Sequence, residues 1–221
     1  VYRTEALLGF YFDQGRDAMV IWRLWNDHKF FMIGPVTGLA GIFLGPFYYY
    51  LVLPFLLITR FNPIGLYYSS CFFGIITGLG FYFFAKEIFG RKTAYLTVIL
   101  YFVSPLMIYF DRIPWNVNLL ITSSMLTFFG FHKIFVKQKN SWIDYLLLGL
   151  GLGLGLQAHF TSVFLFIILF VLILIKRKFP FNFIITFLEV LFFLLPLIVF
   201  DLRHNFINYK GVLEFFSINA K

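Results

Sequence analysis

The sequence predicts an all-α polytopic membrane protein, and three observations carry that reading. Of 221 residues, 61% are hydrophobic and only 13% charged, whereas a soluble domain is nearer to about 25% charged. The 34 Phe, 13 Tyr and 4 Trp exceed what one soluble core of this size encloses. Apolar runs of membrane-spanning length alternate with short basic clusters, at a mean hydropathy of +0.86. Together these exclude a soluble enzyme. The net charge of +8 resides between apolar runs, so it reports orientation across a membrane and implies no nucleic-acid partner. Cys71 stands alone within an apolar run and carries no redox information. No signal-like segment precedes Val1, and the expectation is a longer parent protein.

Taken in order, the apolar runs are 41–58, 64–85, 93–110, 115–136, 142–175 and 181–200. A spanning helix needs about 20 residues. The run 142–175 has 34 residues, too long for one pass and sufficient for two short ones. Beyond Asp144 at its start, its strongly polar side chains fall at Gln157-Ala158-His159, where the break is placed. Three basic clusters (Lys86, Arg91 and Lys92; Lys133, Lys137 and Lys139; Lys176, Arg177 and Lys178) belong in the cytoplasm by the positive-inside rule. Parity agrees only with the split. The predicted transmembrane part is 63–221, with six helices over about 64–85, 93–110, 115–136, 142–157, 160–175 and 181–200. The tips at 111–116, 157–159 and 201–205 then share the outer face.

Residues 1–62 are predicted to form one outer-face loop carrying two juxtamembrane helices. The first runs over about 14–29 with Asp13 as its N-cap and apolar contacts from Ala18, Ile21, Trp22 and Trp25. The second starts at Gly45-Pro46 and ends near Ile58, about 20 Å, too short to cross roughly 30 Å of hydrocarbon. Tyr48, Tyr49 and Tyr50 at its start suit the membrane interface. Gly149-Leu-Gly-Leu-Gly-Leu-Gly155 contains two interleaved Gly-xxx-Gly spacings, suited to close helix contact in lipid. No soluble domain and no linker is visible.

The polar cluster Asp13-Gln14-Gly15-Arg16-Asp17 would put both carboxylates on one helix face, where a carboxylate can act as general base. The structural alternative makes Asp13 a cap and Asp17 with Arg16 a solvated pair. Arg112, in Asp111-Arg112-Ile113-Pro114-Trp115-Asn116, has the forked geometry that takes a phosphate, or else pairs with Asp111. Gln157 and His159 would be costly in hydrocarbon unless they face protein or water. Asp201, Arg203 and His204 form the last outer cluster. Asp13, Asp17, Asp111 and Asp201 would hold a divalent cation only by converging, and no metal-binding spacing such as HExxH is present. No Gly-rich phosphate loop follows a strand.

In order, the acidic segment at Asp13, then Gly45-Pro-Phe-Tyr-Tyr-Tyr50, Phe61-Asn-Pro63, Ala85-Lys-Glu-Ile-Phe-Gly-Arg91, Ser104-Pro105 and 151–162, the sequence resembles the GT-C membrane glycosyltransferases. The resemblance is to the family 39, protein O-mannosyltransferase-like branch that includes lipid A aminoarabinose transferases, and covers nearly the whole chain as an N-terminal module lacking its first helix. It implies a GT-C-like helix bundle that moves a sugar from a polyprenyl-phosphate donor to a hydroxyl of a glycan, lipid or protein acceptor at the outer face of the cell membrane, with inversion. Asp13 carries over as catalytic base. The family's second acid reads Gln14, its Pro-Pro-Leu-Tyr reads Gly45-Pro-Phe-Tyr48, and an Asp about five residues after Arg112 falls among Asn116, Val117 and Asn118. The implied substrate-binding set is Arg16, Asp17, Tyr48, Arg112, Asn116, Gln157, His159, Arg203 and His204, with Arg112 or Arg203 holding the departing lipid phosphate. No metal ligand is assigned, and a divalent cation, Mg or Mn, is left open as cofactor. The competing classes are a secondary transporter or flippase-like protein, whose polar groups would lie on broken helices at the bilayer midplane in repeated halves, and a non-catalytic scaffold subunit.

Overall fold

The computed structural model describes residues 11–37, 42–177 and 179–219. Residues 1–10 and 38–41 of the predicted loop, and Lys178 of the third basic cluster, lie outside the described residues. Among the described residues the helices are α1 (Phe12–Asn26), α2 (Phe47–Ile58), α3 (Ile64–Phe89), α4 (Arg91–Val103), α5 (Pro105–Phe110), α6 (Leu119–Phe131), α7 (Trp142–Ala158), α8 (Val163–Lys176), α9 (Phe183–Arg203) and α10 (Ile207–Asn219). A 3-10 turn over Asn116–Asn118 leads into α6, and a π-helical turn over His132–Val136 ends it. Extended pairing among the described residues amounts to an isolated bridge between Val36 and Phe43.

Three helical stretches, Ile64–Phe89, Asn116–Val136 and Phe183–Arg203, are long and apolar enough to cross a membrane. With the shorter apolar helices beside them, they make the chain an all-α membrane helix bundle. Its two ends differ. Lys133 reaches Glu87 at 2.9 Å, joining the first two basic clusters, and Asn182, beyond the third, donates to the Asn140 carbonyl at 3.0 Å. All three clusters therefore sit at one end. At the other, Gln14 meets Pro114, Asn116 meets Ala158, and Phe43 meets Asn208.

The Gly149–Gly155 stripe explains how the bundle closes. Side chains added at Gly149 and Gly153 would run into Glu189 and Phe193 of α9, whereas those at Gly151 and Gly155 would meet Thr127, Ser123 and Ser162. The two interleaved Gly-xxx-Gly spacings thus serve two neighbours, α9 on one side and α6 with the start of α8 on the other, letting α7 lie close to both. Two cores result. Phe131, Ile134, Phe135, Tyr145, Leu148 and Leu152 pack at the basic end with Leu165 and Phe183. Ile21, Tyr48, Tyr49, Val52, Leu56, Leu66, Leu119 and Ala158 pack at the opposite end, clamping α1 and α2 to the bundle. The outward faces of α8 and α9, with Phe170, Leu174, Phe187 and Leu195 exposed, are surfaces for lipid.

Three features depart from the sequence reading, and one agrees with it. The predicted pass 93–110 is two helices, because Pro105 disfavours a helical Ser104, which turns extended and caps α5 instead. The 142–175 run breaks where expected, with His159 extended between α7 and the next turn. Tyr11, not Asp13, is the N-cap of α1, and its amide N–H donates to Gln14 Oε1 at 2.9 Å. Finally, α9 continues through Arg203, and α10 follows it where no helix was expected.

Candidate active site

Helix α1 buries a polar stripe. Gln14, Asp17, Ile21 and Leu24 face inward, whereas Met19, Trp22 and Trp25 are exposed. The expected apolar contacts of Trp22 and Trp25 are therefore not made inside the bundle, and Ile21 alone of that pair-and-pair pattern is core. Asp13 and Asp17, one turn apart, do share a face: Arg16 lies between them, 2.9 Å from each. They differ in environment. The Asp13 side chain is 48% exposed and that of Asp17 only 3%. Asp17 Oδ1 accepts from Arg16 Nε and Nη2 and from the Tyr49 hydroxyl at 3.1 Å. The expected solvated pair is thus a buried one, and burial pushes the Asp17 carboxyl above its ordinary range although Arg16 opposes it.

The turn after α5 approaches α1 from the side. Gln14 Nε2 donates to the Pro114 carbonyl at 3.2 Å, and Asn116 Nδ2 donates to the Ala158 carbonyl at 2.7 Å. Next to Ala158, Gln157 is buried: its amide nitrogen donates to the Phe193 carbonyl at 2.8 Å, and its oxygen accepts from the Phe47 amide at 3.3 Å. A side chain at Gly45 would overlap the Gln157 side-chain amide, which is why Gly precedes Pro46 here. From Phe47, α2 leads to Tyr49 and back to Asp17. Four hydrogen bonds therefore close a ring through α1, the 111–116 turn, the α7–α8 break and α2.

This ring brings Asp13, Arg16, Asp17, Asn116 and Gln157 into one assembly, but with unequal roles. Gln157 and Asn116 have their donors engaged by main chain and hold the ring together. Tyr48 is buried beneath it, close enough to Asp17 and Arg16 to feel both charges. His159, half-buried, stacks on Phe160 at 4.3 Å and bonds Thr161 at 2.9 Å. Arg112 lines a separate cleft of about 300 Å³ with Tyr67, Cys71, Ile75, Phe102, Ile108 and Asp111. The expected Asp111–Arg112 pair is not among the ion pairs of the described residues; Asp111 instead accepts from the Tyr101 hydroxyl at 3.3 Å. Asp201 caps α10, accepting from the Asn208 and Tyr209 amides at 2.9 and 3.1 Å. His204 folds onto Phe200, and Arg203 stays exposed. No hydrogen bond or ion pair joins either to the Asp13 cluster among the described residues.

The four aspartates do not converge: among the described residues no three His, Cys, Asp or Glu side chains come together as a metal site would need. Sequence reasoning missed Tyr49, Pro114 and Asn208. Tyr49 lay within the quoted Tyr run; nothing in its spacing says that it, and not Tyr50, faces Asp17.

The described helices thus form an all-α bundle with a polar, carboxylate-bearing assembly at the end away from its basic clusters. Residues 44–200, more than two thirds of the chain, match the profile of the dolichyl-phosphate-mannose-protein mannosyltransferase family, and the chain belongs to that family. It is a membrane glycosyltransferase of the mannosyltransferase type. The match begins at Leu44, so α1 with Asp13 precedes it. No curated protein and no solved structure matches the chain.

Proposed function

We propose that the chain transfers a sugar from a polyprenyl-phosphate donor to a hydroxyl acceptor at the outer face of the cell membrane, by one inverting displacement with Asp13 as general base. The observation that carries this reading is the contrast between the two carboxylates on α1. Asp17 is enclosed and held by Arg16 and Tyr49, so an acceptor hydroxyl has no approach to it. Asp13 keeps an open side while Arg16 fixes the other, leaving an oxygen with free lone pairs at the surface. Asp13 takes the acceptor proton as the oxygen attacks the anomeric carbon, and the lipid phosphate departs with its bonding pair. That phosphate already bears charge, so a cation such as Arg112 serves mainly to hold it.

Asp13→Asn keeps size and removes the proton acceptor. Transfer from a polyprenyl-phosphate sugar, assayed with the full-length protein in membranes, should fall by about 10² or more while the protein accumulates normally. Full turnover by Asp13→Asn would defeat the assignment. The companion Asp17→Asn should lose stability first.

A further inference from the structure

At the basic end, far from the Asp13 assembly, α3 and α4 carry a cluster that the transfer chemistry does not use. Gly90, at φ +89°, joins the two helices in a conformation that a side chain would disfavour, and α4 packs back along α3. Each helix contributes a phenol and a cation four residues apart, and so on one face: Tyr82 with Lys86 on α3, Tyr95 with Arg91 on α4. Lys86 Nζ stands 6.0 Å from the centre of the Tyr82 ring, and the Arg91 guanidinium 5.7 Å from that of Tyr95. Arg91 Nε also donates to the Tyr95 hydroxyl at 3.2 Å. The two rings meet at 5.4 Å. The pairs therefore merge into one patch, in which Lys86 lies close enough to act on Tyr95 and Arg91 close enough to act on Tyr82.

The patch is exposed and its charge is not balanced by protein. Lys86, Arg91 and the neighbouring Lys92 are all exposed, and among the described residues none of them belongs to an ion pair. Glu87, beside Lys86, is taken by Lys133 at 2.9 Å and lies in the field of Lys137 and Lys139 as well. Contact with the rings restricts Lys86 and Arg91 before any ligand arrives, which lowers the ordering cost of binding. Further along the same two helices, Ile75 and Leu79 on α3 and Ile99 and Phe102 on α4 are exposed and apolar. Cations at the helix ends, phenols next and hydrocarbon-facing side chains beyond match a phospholipid from phosphate through ester to acyl chain. A free phosphate leaves the apolar part of this series unused. A zwitterionic headgroup carries an ammonium that the three cations repel, whereas an anionic one carries none. We propose that this patch binds one anionic glycerophospholipid, its phosphodiester between Lys86 and Arg91, its ester region on Tyr82 and Tyr95, and its acyl chains along Leu79 and Ile99. The inference stands apart from the transferase reading, since these residues take no part in the displacement.

The test is thermal unfolding of the full-length protein in detergent micelles doped with phosphatidylglycerol or with phosphatidylcholine of the same chains. A ligand that binds only the folded form raises the midpoint in a saturable way. The midpoint should rise with phosphatidylglycerol, and the half-effect mole fraction should increase about tenfold or more in the double variant Lys86→Gln, Arg91→Gln. Removing equal charge from the next cluster, in Lys137→Gln with Lys139→Gln, should move it by less than about twofold. Equal losses in the two double variants mean diffuse attraction to a basic surface and overturn the site. Inorganic phosphate that raises the midpoint as far as the lipid does assigns the patch to a free anion and overturns the lipid. Native mass spectrometry of the unmodified protein needs no variant: phosphatidylglycerol should stay bound at collision energies that strip phosphatidylcholine. Loss of both lipids at the same energy, or equal midpoints with both, overturns the proposal.

Discussion

Asp13 and Asp17 are chemically identical and one helical turn apart, yet their surroundings make them unlike. A buried carboxylate that accepts from a guanidinium and a phenol is a fixed structural element, and removing a donor to it is costly. Tyr49→Phe should therefore lower stability by about 1–2 kcal/mol, read as a fall in the unfolding midpoint, without changing the environment of Asp13. Asp111 permits a pH prediction. Burial lifts its carboxyl to about 6, with Tyr101 opposing. A folded value raised above the unfolded one favours the folded state while the group is protonated; that contribution is complete below about pH 4 and lost as pH rises through about 6. Asp111→Asn should match the parent protein near pH 4 and be more stable at pH 8. The gain is about 1–2 kcal/mol once its partial exposure is discounted. Equal stability at pH 8 would show that the carboxylate is not penalised. From sequence, Asp13 and Asp17 were visible as a pair on one face. Which of them lies inside was not, because burial of Asp17 depends on Tyr49, which arrives from another helix.

Among the helices, α7 was the most legible. A break at Gln157 followed from the cost of polar side chains in hydrocarbon, and the Gly spacing announced close packing. The identity of the neighbours was not legible, since Gly at every second position serves any helix that comes near. A substituent at Gly151 would press on the Thr127 backbone nitrogen and the Ser123 carbonyl, which cannot swing aside as a side chain does. Gly151→Ala should thus cost about 1–3 kcal/mol, measured by thermal unfolding. Helix α2 spans 12 residues, about 18 Å, and an interfacial placement predicts that cysteines at Asn26 and Asn62 label from the same face. Labelling from opposite faces would require α2 to cross. The break at Ser104-Pro105 was also written in the chain, since the residue before Pro resists the helical conformation, but a pattern of apolar residues alone read through it.

Across the whole molecule, the contacts Lys133–Glu87 and Asn182–Asn140 collect the basic clusters at one end, and the hydrogen-bonded ring occupies the other. If the clusters are cytoplasmic, cysteines at Lys139 and Asn62 should label from opposite sides of the membrane in intact cells. Labelling from one side would invert or break the topology and take the outer-face site with it.

Taken by itself, the order of amino acids determined the all-α membrane class and most of its apolar helices. Hydrocarbon leaves the backbone no partner but itself, so a long apolar run has one solution, and charges between runs settle at the surface. Only the tertiary structure decided that Gln14 meets Pro114, that Asn116 meets Ala158, and that Tyr49 encloses Asp17 while Asp13 stays open. Those contacts join residues far apart in the chain through single hydrogen bonds, and such bonds leave no period or spacing in the sequence; they exist because the glycine stripe of α7 and the core around Ile21, Val52 and Leu56 bring the elements close enough to make them.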